Sequence, residues 1–409
     1  MHNIRIFVNR ILRFLLRHTS RFIRPSKKRL FLSSFSGSFS DSPKQIALKL
    51  LEKCPSLHLF YLVFDSCKEL PNGITKVVPG TWQEVWYRAR SGIIIDNNYG
   101  NHAVWMRDPT KDSRKQFMKT LKSIKEKNQL VISTWHGTPL KKMGIDTPNS
   151  NIIAFDCPNT IMFLGNGFTA EIMRRLTFNK IQIQCLGTPR NDPLLKEISN
   201  HDIEDLKKRL GIPNKMRVVL YAPTFRDSNG EGSEANIDKS GLQQLREISV
   251  DKLLSALSSK FGGDFCLVLR FHYFVDKSVD WETIQKDYNG IVINGNKNED
   301  MVDYLKVTDI LITDASSCMF DFSLTRRPCF LFFPDVIQYI KERGVYLNFD
   351  ELPFPLSTDF QTLICSIKDF NEEEYKDHVN TLLANLENVE DGYSAERIVE
   401  YIEKNLINN

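Results

Sequence analysis

The stretch 309–334, DILITDASSCMFDFSLTRRPCFLFFP, constrains the fold of this chain more than any other. It opens with an apolar run suited to a strand covered on both faces and breaks at Thr313-Asp314-Ala315-Ser316-Ser317. It then resumes at helical spacing with Met319, Phe322 and Leu324 inward. A second apolar run at 328–333 completes strand, turn, helix and strand, one βαβ unit of a parallel sheet. Ligands of such sheets sit beyond the carboxyl ends of the strands, where this unit carries two adjacent hydroxyls. Exposed N–H groups and the dipole at a helix start favour an anion, most often a phosphate. Ser316 and Ser317 would equally serve as simple helix caps.

The same alternation fills the rest of the chain. Strands are expected at 29–35, 57–64, 76–78, 92–96, 129–134 and 181–186, with helices at 43–51, 83–89, 111–127 and 168–176. A polar passage over 191–217 precedes a second series, with strands at 218–222, 266–270 and 291–293 and helices at 250–261 and 300–306. Helices near 336–342, 359–368, 372–385 and 395–405 close the chain, and the loop 227–241 is expected to be mobile. A chain of 409 residues exceeds what one core sustains. The expected architecture is therefore α/β: a segment 1–25, Rossmann-like domains at 26–195 and 196–390, and a terminal helical segment 391–409. The active site is expected in the cleft between the two domains.

The composition, 42% hydrophobic and 25% charged, is ordinary for a folded enzyme. A net charge of +4 without a reader motif argues against a nucleic-acid partner. Eight scattered cysteines without a CxxC pair imply reduced core residues, neither a disulfide frame nor a zinc site. No apolar run approaches the ~18 residues of a membrane span, and no cleavable signal peptide is evident. Between Ile4 and Ile23, however, apolar residues recur at helical spacing, and six arginines from Arg5 to Arg24 interleave with no acid. A basic amphipathic helix of this kind suits an anionic membrane surface. A helix docked on the body or on a partner would share the pattern, as would a transit peptide.

Polar groups at strand ends supply the candidate chemistry. His136 follows a buried strand in Ser133-Thr134-Trp135-His136-Gly137-Thr138-Pro139, where a near-neutral imidazole suits general-base work. Arg190 in GTPRND, Thr224 in YAPTFR, and Arg270 with His272 in LRFH lie at other strand ends. Two-residue spacing puts Arg270 and His272 on one side of the chain. With the Asp314–Ser317 turn, these cations suit a diphosphate. Neither GxGxxG nor GxxxxGK[ST] is present, so nicotinamide and P-loop chemistry are not supported.

These motifs, STWHGTPLKKMG, GTPRND, YAPTFR, LRFH and DYLKVTDILITDASSCMFDFSLTRRPCFLFFPD followed by RGVY, resemble the CDP-glycerol glycerophosphotransferases of teichoic acid synthesis. FLSSFSGSFSDSPKQIA is similar to the family's first βα unit, and the resemblance runs from about residue 30 to about residue 355. It implies a B-type glycosyltransferase (GT-B) fold and peripheral attachment to the cytoplasmic face of the cell membrane. The implied reaction passes glycerol phosphate from CDP-glycerol to a lipid-linked or polymeric acceptor, releasing CMP. Teichoic-acid-like capsule polymerases share the motifs, and relatives use CDP-ribitol. By this resemblance His136 is the base, and Gly137, Thr138 and Pro139 line the donor glycerol. The implied donor-binding positions are Arg190, Pro223, Thr224, Arg270, His272, Ser316, Ser317 and Asp321, with His272 also catalytic through the charge on departing CMP. No acidic cluster marks a tight metal site, although Asp314 and Asp321 could hold a Mg²⁺ beside the phosphates, and metal dependence stays open. The long N-terminal extension of the large polymerases is lacking, so addition of one unit or many stays open too. A sugar-nucleotide glycosyltransferase or a scaffold without chemistry are the rival expectations.

Overall fold

The computed structural model describes residues 11–12, 15–16, 19, 22–34, 37–64, 69–97, 128–147, 159–224, 226–227, 237–238, 247–271, 276, 279–288, 290–297 and 300–407. The expected helix at 111–127, His272, and most of segment 1–25 and of loop 227–241 lie outside the described residues. The chain forms two compact units. The first comprises Met1–His136, Ala154–Asp192 and Asn388–Asn409; the second comprises Gly137–Ile153 and Pro193–Glu387.

The first unit is built on a seven-stranded sheet of order β3-β2-β1-β4-β5-β6-β7. Its strands are β1 (Ser26–Ser33), β2 (His58–Leu62), β3 (Ile74–Val77), β4 (Ser91–Asp96), β5 (Leu130–Ser133), β6 (Thr160–Leu164) and β7 (Gln182–Cys185), all paired in parallel. Helices α1 (Asp41–Lys53), α2 (Trp82–Arg90) and α3 (Gly167–Leu176) connect them. Local chemistry sets the helix starts: the Thr81 hydroxyl accepts from Glu84 N–H and the Asn166 side chain from Thr169 N–H, each capping its first turn. Strand β6 was not among the expected elements. Its five residues are all buried, paired to Val131–Ser133 on one side and to Gln182–Cys185 on the other.

The C-terminal helix, Ser394–Ile402, belongs to this first unit. Ile398, Val399 and Ile402 are fully buried in one cluster with Leu30, Ile46 and Ile132. Lys53 at the end of α1 pairs with Glu396 and Glu400 on its outer side.

The second unit carries a six-stranded parallel sheet of order β12-β11-β8-β13-β14-β15. In chain order its elements are α4 (Asn200–Leu210), β8 (Arg217–Ala222), a two-residue antiparallel ladder of β9 (Arg226–Asp227) with β10 (Ile237–Asp238), α5 (Val250–Phe261), β11 (Phe265–Leu269), α6 (Trp281–Asp287) and β12 (Val292–Asn294). Then follow α7 (Met301–Val307), β13 (Ile310–Thr313), α8 (Cys318–Ser323), β14 (Cys329–Phe332), α9 (Val336–Arg343), β15 (Leu356–Ser357), α10 (Phe360–Asp369) and α11 (Glu372–Asn385). The opening strand–turn–helix–strand stretch is thus present as β13–α8–β14. Met319, Phe322 and Leu324 face inward as their spacing requires.

Each sheet reverses its winding once, between β1 and β4 in the first unit and between β8 and β13 in the second. Such switch points open a crevice at the carboxyl edge, which is where parallel α/β sheets hold their ligands. Cys54, Cys266, Cys318 and Cys329 are buried thiols, whereas Cys365 is exposed on α10, away from the core expected of it. Burial pushes the Cys266 and Cys318 thiols up to about 11, so both stay protonated core groups. Among the described residues, no helix is long and apolar enough to cross a membrane.

Candidate active site

At the carboxyl edge of the first sheet, register aligns Ser33 with Asp96 and Asp96 with Ser133. The residues that follow these three strands therefore gather at the switch point. β5 ends in a sharp reversal: Trp135 takes φ +54° and Gly137 φ +120°, with His136 between them. A tryptophan with left-handed backbone stores strain of about 1–3 kcal/mol, the kind of cost found where a side chain must be presented in one direction. His136 is the exposed residue of this turn, while Trp135 is buried with its ring centre 3.7 Å from that of the imidazole, the two planes tilted by 35°. His136 Nδ1 lies 3.2 Å from the carbonyl oxygen of Asn97, which is buried at the end of β4. A carbonyl only accepts, so Nδ1 carries the hydrogen, and in the neutral imidazole the lone pair falls on Nε2. Residue types could not point to this partner, because a backbone carbonyl has none. The position just past a strand end was the available clue.

Arg190 stands in the first unit, in the 3₁₀ turn Pro189–Asn191. Its guanidinium pairs with Asp41 at 3.3 Å, and its N–H donates to Ser42 Oγ at 3.3 Å. The rest of the motif GTPRND works as a clasp. Asn191 donates to Glu390 at 2.8 Å, and the buried Asp192 carboxylate accepts from Ser394 and Ala395 N–H at 2.9 and 2.8 Å. Two bonds from a carboxylate to the first N–H groups of a helix form a strong cap, favoured also by the helix dipole. Gly187 sits at φ +99°, and a Cβ there would lie 2.1 Å from Ser394 Oγ, so this approach requires glycine.

The remaining described members of the expected donor set fall in the second unit, at its own switch point. Asp314 is fully buried, and its Oδ1 accepts from both the N–H and the hydroxyl of Thr224 at 2.9 Å. Thr313 Oγ1 donates to Ala222 O at 2.7 Å. These bonds lock the ends of β8 and β13 together and fix Pro223-Thr224 beside the Ser316-Ser317 turn. Ser317 makes no side-chain capping bond, whereas Ser316 Oγ accepts from Cys318 N–H at 3.4 Å and also bonds the Cys318 thiol. Helix α8 is six residues long, so local N–H groups matter here more than a macrodipole.

On the neighbouring strand end, Arg270 N–H donates to Tyr221 O at 2.9 Å, and its guanidinium donates to Gly295 O at 2.5 Å and lies 4.9 Å over the Tyr304 ring. Burial pulls the Arg270 pKa below its ordinary value, while Tyr304 and Asp300 pull the other way. The triplet Asn294-Gly295-Asn296, which ends β12 and turns out of it, was missed by the sequence reading, though Asn-Gly-Asn closing a short apolar strand was a visible signal. Asp321 is buried on α8. Among the described residues, no group of three or more potential metal ligands gathers.

Gly137, Thr138 and Pro139 begin the segment that belongs to the second unit. There Lys141 bridges to Val345, Tyr346 N–H donates to Leu140 O at 2.8 Å, and Tyr346 Oη donates to Asp146 at 2.7 Å. The RGVY motif thus holds the loop that follows His136.

With this geometry in hand, comparison with known proteins is informative. A family profile described as CDP-Glycerol:Poly(glycerophosphate) glycerophosphotransferase matches residues 16–404. The chain is 26% identical over 398 residues to a teichoic acid poly(glycerol phosphate) polymerase of Staphylococcus epidermidis, covering 93% of this chain and 51% of that protein. It is 30% identical over 293 residues to a teichoic acid glycerol-phosphate transferase of Staphylococcus aureus, covering 67% and 71%. The chain therefore spans about half the length of the first of these relatives. Among solved structures, the wall teichoic acid polymerase TagF superposes with a TM-score of 0.76 at 24% identity, covering 98% of this chain and 96% of that one. The two share a fold, two Rossmann-like units of the GT-B class.

Proposed function

The chain belongs to the CDP-glycerol:poly(glycerophosphate) glycerophosphotransferase family, and on that premise we propose that it moves glycerol phosphate from CDP-glycerol to an acceptor hydroxyl, releasing CMP. The acceptor in this reading is a lipid-linked or polymeric chain in teichoic acid or related surface-polymer synthesis. The work is done at the cytoplasmic face of the membrane by a peripherally attached enzyme.

The observation that carries the reading is the His136 imidazole, presented by a strained turn and held through Nδ1 with its lone pair at Nε2. Such a nitrogen takes the proton of an acceptor hydroxyl as the oxygen attacks the β-phosphorus of the donor. The new O–P bond forms in line with the breaking bond to CMP. Arg270, Thr224 and the N–H groups around Ser316 are the donor side of the reaction, holding the diphosphate and taking up charge on the leaving CMP. His272, Ser317, Pro223 and Asp321 complete that side, with Gly137, Thr138 and Pro139 against the donor glycerol. Arg190 joins it only by exchanging its Asp41 partner for phosphate.

CDP-ribitol is the alternative donor, since the same groups would hold either diphosphate. Mass spectrometry of products from a lipid-disaccharide acceptor, given CDP-glycerol and CDP-ribitol separately, tests both readings. Mass increments of glycerol phosphate with the first donor only are expected; increments with neither donor would overturn the proposal.

A further inference from the structure

We propose that Asn296 is a positioning residue for the donor site, its side-chain amide standing in for a peptide group to hold the main chain of Phe271, the residue that follows Arg270. The inference rests on the donor reading above. The regular ladder between β11 and β12 ends with Leu269 opposite Asn294. Beyond it, Gly295 N–H donates to Leu269 O at 2.8 Å, and Gly295 O accepts from the Arg270 guanidinium. One residue further, Asn296 Oδ1 accepts from Phe271 N–H at 3.0 Å, and Asn296 Nδ2 donates to Phe271 O at 2.7 Å. Phe271 N–H can only donate and its carbonyl can only accept, so the orientation of the amide is unambiguous. Asn296 is itself fixed, its N–H donating to Asn294 Oδ1 at 2.8 Å.

The arrangement is specific in chemistry and in space. Among side chains of this length, only a primary amide offers one donor and one acceptor to both polar groups of a single residue. A Cβ on Gly295 would lie 2.8 Å from Leu269 O and 2.9 Å from Val268 Cγ1, so the close approach of this turn to β11 requires glycine. Phe271 is buried, with its ring against Trp281. Its main chain thus depends on Asn296 for satisfaction, and Arg270, the residue before it, inherits that fixed geometry. No other function read from the sequence accounts for this triplet.

The test uses the full chain, with CDP-glycerol affinity measured by calorimetry and donor KM and kcat by CMP release. Asn296→Ala should weaken donor affinity by at least tenfold and raise donor KM while kcat stays within about threefold. Because the effect runs through Arg270, the double variant with Arg270→Ala should bind no more weakly than Arg270→Ala alone. Wild-type affinity in Asn296→Ala beside a weakened Arg270→Ala would overturn the inference and leave the donor reading standing. Absence of CDP-glycerol binding by the unaltered chain would overturn both. Should Asn296→Ala fail to fold, Asn296→Asp keeps size and acceptor while losing the donor to Phe271 O. Unchanged donor affinity in that variant would equally refute the role.

Discussion

His136 owes its placement to backbone geometry on both sides, the left-handed Trp135 before it and Gly137 after it. Its tautomer it owes to a carbonyl 39 positions earlier in the chain, that of Asn97. If the imidazole is the base, His136→Ala should lower kcat by ~10²–10⁴ while CDP-glycerol still binds. Turnover near the wild-type rate in that variant, measured by CMP release, would remove His136 from the chemistry. Arg270 presents the opposite case, a guanidinium anchored to a carbonyl and a ring whose charge burial disfavours. A diphosphate beside it would add negative charge to that already supplied by Asp300, and charge-assisted bonds of this kind are worth about 1.5–3 kcal/mol. Arg270→Ala should therefore raise the donor Kd about tenfold or more, and a change confined to kcat would mean its role is otherwise. For Arg190→Ala the expected result is also weaker donor binding. A lowered melting temperature with unchanged binding would assign Arg190 to its ion pair with Asp41 alone.

Elements were legible in the sequence where burial is two-sided or one face is plainly apolar. The expected helices 250–261 and 372–385 coincide with α5 and α11, where apolar residues recur at helical spacing, and the run 218–222 lies within β8, where shortness and β-branched residues favour a strand. Strand β6, TIMFL, carries the same kind of continuous apolar run as β8 and was overlooked, although its pattern was visible in the sequence. The destination of the C-terminal helix was not legible: spacing defines an apolar face but never names what covers it. That partner is visible only in the fold, where Ile398 enters the core of the first unit and Asp192 caps the helix from GTPRND. A motif that read as donor-binding is therefore half a structural clasp. Asp192→Ala strips the cap from a buried helix start and should lower unfolding free energy by about 1–2 kcal/mol, read in urea titration. Ile398→Ala should cost more, ~2–5 kcal/mol, by opening a cavity in the same core. Equal stability of Asp192→Ala and the parent would show that the helix holds by packing alone.

At the scale of the whole molecule, the proposed reaction raises the question of how a chain of nearly balanced charge would reach a lipid-linked acceptor. The net charge of +4 is too small to hold a 409-residue body on a membrane, but its distribution is uneven: six arginines and no acid precede Pro25. Of that segment's apolar residues, Ile11 and Leu15 stand exposed, as does Phe22 at 77% exposure. An arginine near an anionic surface contributes roughly 1 kcal/mol, and buried apolar side chains add to it. Together they would outweigh the loss of orientational freedom on attachment. Deleting residues 1–25 should abolish co-sedimentation with vesicles containing anionic lipid, while transfer to a water-soluble acceptor analogue continues at the parent rate. The parent's binding should weaken as salt shortens the screening length from about 10 Å at 0.1 M to 3 Å at 1 M, without vanishing, because the apolar part is insensitive to salt. Binding that survives the deletion would place the helix against the protein body or a partner, and attachment would then have to come from the two folded units themselves.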